Sequence, residues 1–293
     1  MRSARSTLTL GEVSGDDLLE VGGKASALGV LAAANLPVPA GFVVTASALG
    51  AISPTSVPAG ALAQAFDDEI LHSYRQLGDA DAVVAVRSSA IDEDGLDVSF
   101  AGQHETVLGV RGPEALLAAI ASVRASLHSG RASAYRERHA IGSPTRGIAV
   151  IVQRMVDARS AGVVFTTDIQ GGDSGTLLIE AAWGLGESVV DGSVTPDRFF
   201  VDKHSGERRR MEIADKRTMT VLAASGTAVV DVPAARRTLP CLSAANVRDV
   251  AALAQRVEDV RGGECDIEWA LDGAGAVHLL QARPITTRAP SVR

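Results

Sequence analysis

The feature that most constrains this chain lies near its end. In Cys265-Asp266-Ile267-Glu268-Trp269-Ala270-Leu271, apolar and acidic side chains alternate. Side chains of an extended strand point to opposite faces in turn, so Ile267, Trp269 and Leu271 share one face. Asp266 and Glu268 share the other, roughly 6–7 Å apart by the strand rise. Asp272-Gly273-Ala274-Gly275 is a turn signal, and Val277–Pro284 returns as a second strand with Gln281 and Arg283 on one face. If the strands pair, two carboxylates, an amide and a guanidinium meet on one side. Carboxylate and amide oxygens are hard donors that suit Mg²⁺. A guanidinium matches phosphate oxygens in a bidentate fashion. A solvated outer face carrying a surface salt bridge would show the same pattern, so the hairpin gains meaning only in company.

Three other places supply candidates. Gly22-Gly23-Lys24 precedes a helical spacing of Ala25, Leu28, Leu31 and Ala32. Backbone amides at a helix start favour an anion, and glycine lets the chain approach it closely. GxxxxGK[ST] is absent, so this is not a P-loop, and taken by itself the pattern favours a solvated lysine over a ligand. Arg87 ends the apolar run Val83–Val86, where an arginine either joins a structural ion pair or faces a pocket. Gly102 and Thr106 lie in Phe100-Ala101-Gly102-Gln103-His104-Glu105-Thr106, which reads either as a phosphate-covering loop or as an ordinary turn and strand start.

Helices are expected from the Gly22–Lys24 segment to before Pro37, over about 62–77, around Leu116–Leu127 after Pro113, and around Val247–Val257. Strands are expected at 41–45, 83–86, 148–152, 162–166 and 177–180, besides the hairpin. Residues 184–197 read as a glycine-punctuated loop, and 205–240 as basic and irregular. The elements mix without strict βαβ alternation, which predicts an α+β fold. The chain has 293 residues, 46% of them hydrophobic, enough for two lobes. A formal net charge of -7 argues against nucleic-acid and membrane-surface partners. Cys241 and Cys265 lack metal-ligand spacing and read as buried thiols of a reducing compartment. The first residues lack the apolar run of a signal peptide, and no stretch of about 18 apolar residues follows, so a cytoplasmic location is expected.

Five blocks of this sequence together resemble a known family. They are GGKASALGVLAAANLPVPAGFVVTASAL, VAVRSSAIDEDGLDVSFAGQHETVLGV, VQRMVDARSAGVVFTTD, IEAAWGLGESVVDGSVTPDRFFVD and CDIEWAL…LLQARPIT. In this order they are similar to the N-terminal ATP-binding domain of phosphoenolpyruvate synthase, pyruvate phosphate dikinase and rifampicin phosphotransferase. The resemblance runs from about residue 20 to 287. It implies an ATP-grasp fold whose two lobes, residues 1–155 and 156–293, hold the nucleotide between them. It implies that Lys24, Arg87 and Arg283 hold phosphates, that Gly102 and Thr106 belong to the covering loop, and that Gln153 contacts the nucleotide. Glu268 and Gln281 match the Mg²⁺-binding pair, and Asp266 a neighbouring acid. Gly184 and Gly186 are expected only to shape a turn, and Trp183 and Trp269 to pack.

Full-length relatives combine an ATP-binding part, a swivelling phosphohistidine part and an acceptor-binding part. None of His72, His104, His128, His139, His204 and His278 sits in the phosphohistidine motif. The resemblance therefore implies a phosphotransferase component that binds Mg-ATP and passes a phosphoryl group to a histidine on a separate protein, releasing AMP and phosphate. A further protein would bind the final acceptor. A direct kinase of a small acceptor and a nucleotide-sensing module remain open on the same residues.

Overall fold

In the computed structural model the described residues are 5–51, 61–78, 82–90, 106–126, 148–169 and 173–285. The chain divides into two compact units. The first comprises Met1–Val30 and Ala40–Met155, the second Leu31–Pro39 and Val156–Arg293.

The first unit contains β1 (Thr7–Thr9), most of α1 (Leu18–Ala33), β2 (Gly41–Val44), α2 (Ala46–Ala51), α3 (Ala61–Arg75), β3 (Val84–Ser89), β4 (Thr106–Val110), α4 (Pro113–Ser126) and β5 (Ala149–Arg154). Its sheet runs β1-β2-β5-β3-β4 with every neighbouring pair antiparallel. Alternation along the strands sends Phe42, Val44, Val84, Val86, Val150 and Val152 to one face. There they pack on Ile70 and Tyr74 of α3 and on Leu116, Ile120 and Val123 of α4. The Tyr74 hydroxyl donates to the Ala82 carbonyl at 2.6 Å and accepts from the Gly112 amide at 3.0 Å, so its polar end is satisfied inside the core. Pro113 occupies the first position of α4, where its missing N–H costs nothing.

The second unit holds β6 (Ala158–Phe165), β7 (Thr176–Trp183), α5 (Glu187–Val190), β8 (Asp197–Asp202), β9 (Arg208–Glu212), β10 (Thr218–Leu222), β11 (Thr227–Asp231), α6 (Ala244–Arg261), β12 (Cys265–Asp272) and β13 (Val277–Pro284). Its main sheet is antiparallel throughout, in the order β13-β12-β6-β7-β8-β9, and β10 and β11 form a separate hairpin. One sheet face, with Val164, Ile179, Phe199, Ile267, Trp269 and Leu271, clusters with Val247, Val250, Leu253, Ala254 and Val257 of α6. Ser243 caps α6: its Oγ accepts from the Asn246 amide at 3.2 Å. The other sheet face is left for polar groups on β12 and β13.

Within residues 205–240, which the sequence pattern marks as irregular, the structure has three strands. β9 is exposed along its whole length, so it carries no apolar period. Its Arg208, Arg209, Arg210 and Glu212 charge the sheet edge against further pairing. A buried ion pair ties the segment before β10 to the sheet. Lys216 Nζ meets Asp197 Oδ1 at 2.5 Å with both side chains fully buried, and Asp197 also accepts the Ala214 and Cys241 amides at 2.9 Å each. Cys241 and Cys265 are buried, unpaired thiols, as their spacing leads one to expect. Among the described residues no helix is long and apolar enough to cross a membrane.

Candidate functional site

In the first unit, Gly22-Gly23-Lys24 is clamped to the end of β3. Gly22 interrupts α1 with φ 75° and ψ 171°. The Gly23 amide donates to the Ala90 carbonyl at 2.9 Å, and the Ala25 amide to Ser89 Oγ at 3.1 Å. A Cβ on Gly22 would stand 2.2 Å from the Ser89 carbonyl oxygen, so only glycine allows this approach. Lys24 therefore emerges beside the strand that carries Arg87.

Strand register gathers the other candidates of this unit. Arg87 is opposite Thr106 on β4 and Ile151 on β5, and Ala85 is opposite Gln153. Directly opposed residues share a face, as do residues two apart on one strand. Arg87, Thr106 and Gln153 thus lie on one face, opposite to the face that packs on α3 and α4. Gln153 is buried, Lys24 and Arg87 are half-buried, and Thr106 is exposed. Gly102 lies outside the described residues, as do the loop before Thr106 and His104.

In the second unit, the hairpin pairs its polar residues directly. Asp266 is opposite Arg283, and Glu268 is opposite Gln281. Arg283 Nε and Nη2 both donate to Asp266 Oδ2, at 2.8 and 2.7 Å. Asp266 is therefore the group that fixes the guanidinium plane. Burial pushes the Asp266 carboxyl above its ordinary range, Arg283 opposes that shift, and the charges of Glu268 and Glu180 add to it.

Glu268 and Gln281 present a carboxylate and an amide as opposed oxygen donors beside Arg283. This donor set fits a hard divalent cation next to phosphate. Among the described residues no group of three or more His, Cys, Asp or Glu side chains could hold a metal ion. Two protein oxygens leave most of an octahedral shell to water and phosphate, the usual arrangement for Mg²⁺.

Two residues of this face carry no assignment from the sequence. Glu268 is opposite Val163 on β6, Val163 opposite Glu180 on β7, and Glu180 opposite Arg198 on β8. Arg198 Nε donates to Glu180 Oε1 at 2.8 Å. The available signal was Glu180 interrupting the apolar run Leu177–Trp183.

Sequence comparison gives these residues a family. Residues 54–292 match the family described as "Pyruvate phosphate dikinase, AMP/ATP-binding domain". The chain is 43% identical to the "Prodigiosin synthesizing transferase PigC" of Serratia marcescens, over 96% of this chain and 34% of that protein. It is 36% identical to a "Probable phosphoenolpyruvate synthase" of Methanothermobacter thermautotrophicus, over 94% of this chain and 45% of that one. It is 35% identical to the "Rifampicin phosphotransferase" of a Streptomyces species, over 98% and 37%. The chain thus spans between a third and a half of the length of these curated relatives. The solved D-alanine-D-alanine ligase of Coxiella burnetii aligns at 11% identity over 89% of this chain and 47% of that one, with a TM-score of 0.38, too low to bear on the fold. With an α+β fold and the match over residues 54–292, the chain belongs to the pyruvate phosphate dikinase AMP/ATP-binding domain family.

Proposed function

We propose that this chain is the ATP-grasp component of a phosphoenolpyruvate synthase-like phosphotransferase. It binds Mg-ATP and activates it for transfer to a histidine on a separate domain. The observation that supports this best is the hairpin register, which sets Glu268 against Gln281 and Asp266 against Arg283 in a chain of an ATP-binding family.

Phosphoryl transfer depends mainly on positioning and on neutralising charge that spreads over phosphate oxygens. Lys24, Arg87 and Arg283 supply the positive charge. Asp266 holds Arg283 by two N–H groups, so the guanidinium is oriented before phosphate arrives. Glu268 and Gln281 would hold Mg²⁺, with Asp266 as the neighbouring acid, and the cation would supply neutralisation of phosphate charge there. Gly102 and Thr106 cover the phosphates, and Gln153 contacts the nucleotide. In the overall balance, ATP, water and a histidine give AMP, phosphate and a phosphohistidine. The β-phosphoryl group goes to an imidazole nitrogen and the γ-phosphoryl group to water. The relatives extend well beyond this match, which leaves room in them for a histidine domain and an acceptor-binding part.

Calorimetric titration with ATP tests the binding half of the proposal. Wild-type protein is expected to bind ATP in a Mg²⁺-dependent way, and Arg87→Ala and Arg283→Ala are expected to weaken binding at least about tenfold, as loss of a charge-assisted contact implies. Binding that ignores Mg²⁺, or that neither variant changes, would overturn it.

A further inference from the structure

The polar row of the hairpin does not stop at β12. Across the sheet it reads Gln281, Glu268, Val163, Glu180, Arg198 and Glu212, each opposite the next. The adjacent row on the same face reads Arg283, Asp266, Phe165, Leu178, Phe200 and Arg210. Phe165, Leu178 and Phe200 fill the middle of that second row. Glu180 is a charge at the corresponding place in the first, flanked by Leu178 and Ala182 along its own strand. Its side chain is 17% exposed, and that of its partner Arg198 is 35% exposed. Glu180 lies two strand spacings, about 10 Å, from Glu268, with only Val163 between them. Charges in such an apolar, half-buried setting are poorly screened and act over this distance.

We propose that Glu180 and Arg198 are positioning residues for the divalent cation, setting the potential at Glu268 and Gln281 through their opposed charges. This rests on the reading of Glu268 and Gln281 as the cation-binding pair. The two rows hold Asp266, Glu268, Glu180 and Glu212 against Arg283, Arg198 and Arg210, a formal balance of minus one, with Arg198 reached by both Glu180 and Glu212. Arg198 keeps the face from capturing a cation strongly before nucleotide arrives, so that the cation enters with ATP. Glu180 keeps the same face from becoming too positive to accept it.

The two residues make predictions of opposite sign. Mn²⁺ binding to the chain without nucleotide, followed by electron paramagnetic resonance at low ionic strength, reads them directly. Arg198→Gln leaves Glu180 unbalanced and is expected to tighten Mn²⁺ binding on the order of fivefold, the effect of one partly screened charge at this range. Glu180→Gln is expected to weaken it by a similar factor, and the double variant to return within about twofold of wild type. A merely structural role would shift both single variants in the same direction or neither, and either result would overturn the inference. Arg198→Lys keeps the charge and should match wild type; if Arg198→Gln does not fold, an altered affinity in Arg198→Lys overturns it instead. Glu268→Gln separates the two ideas. If it leaves Mn²⁺ binding intact, the cation reading of the hairpin fails, whereas if it abolishes binding and the Glu180 and Arg198 variants do nothing, only this inference fails.

Discussion

Replacing Gly22 with alanine tests how the fold places Lys24. The residue has φ 75°, and an added Cβ would lie 2.2 Å from the Ser89 carbonyl oxygen and 2.5 Å from its carbonyl carbon and Oγ. With ψ 171° this backbone lies in a region open essentially to glycine alone, and holding another residue there costs about 1–3 kcal/mol. Relieving a contact with rigid backbone also requires a shift of about 1 Å, since non-bonded carbon and oxygen rest beyond about 3 Å. That shift strains the bonds from Gly23 to Ala90 and from Ala25 to Ser89. Each is worth about 1 kcal/mol, so the full cost reaches about 3–5 kcal/mol if both break. If Lys24 positions phosphate as proposed, a displacement of about 1 Å there costs on the order of a hundredfold in rate. Urea denaturation and ATP turnover with a histidine domain measure the two effects. Gly50→Ala in α2 is the control, because nothing lies within 4 Å of a Cβ there. If Gly22→Ala stays within about 0.5 kcal/mol and twofold in turnover, the clamp has no role in placing Lys24.

Three further outcomes follow from the packing. Lys216→Met leaves the Asp197 carboxylate buried without its cation and should cost about 3–5 kcal/mol in urea denaturation; a loss below about 1 kcal/mol would show that the pair is not the tie it resembles. Burial pushes the Cys265 thiol up to about 11 and the Cys241 thiol further in the same direction, so the thiolate is scarce at pH 8. Native protein should then react with no equivalent of a thiol-specific disulfide reagent and unfolded protein with two, and reaction of either native cysteine would refute the burial. Trp269 is fully buried, and its Nε1 has no hydrogen-bond partner among the described residues. Trp269→Phe removes that unsatisfied donor and should change thermal stability by no more than about 1 kcal/mol, whereas Trp269→Ala should cost about 3–5 kcal/mol.

The hairpin was legible because alternation and turn signals are local. Once Asp272–Gly275 was read as the turn, Ile267, Trp269 and Leu271 had to face the core together. α4 and α6 were legible from apolar spacing, helped in α4 by Pro113. The helix that follows Gly22 was legible as expected, whereas the short helical turn before the non-helical Gly22 carries the exposed Leu18 and Leu19 and has no apolar period to announce it. β10 and β11 were hidden because a two-stranded hairpin of mixed exposure has no strong period. The glycine-punctuated loop is bent as expected at Gly184, with φ 77°, but the reason lies far along the chain: its Cβ would meet the Thr220 carbonyl oxygen at 2.2 Å. Glu180 and Arg198 lack a local sequence signal for their place in the site, for a similar cause. Their alignment with Glu268 arises from the register of β12, β6, β7 and β8, which no single segment encodes. Trp183 packs as expected, buried with Arg236 stacked 4.0 Å from its ring.

The central claim is tested most directly by following the β-phosphorus of ATP. The chain is incubated with Mg²⁺, ATP labelled at the β-position and a histidine domain excised from a phosphoenolpyruvate synthase relative. The account predicts acid-labile label on the domain and AMP in equal amount, both lost in Glu268→Gln. ADP formed with a small acceptor and no labelled domain would contradict it in favour of a direct kinase, and ATP binding without turnover would contradict it in favour of a nucleotide-sensing module.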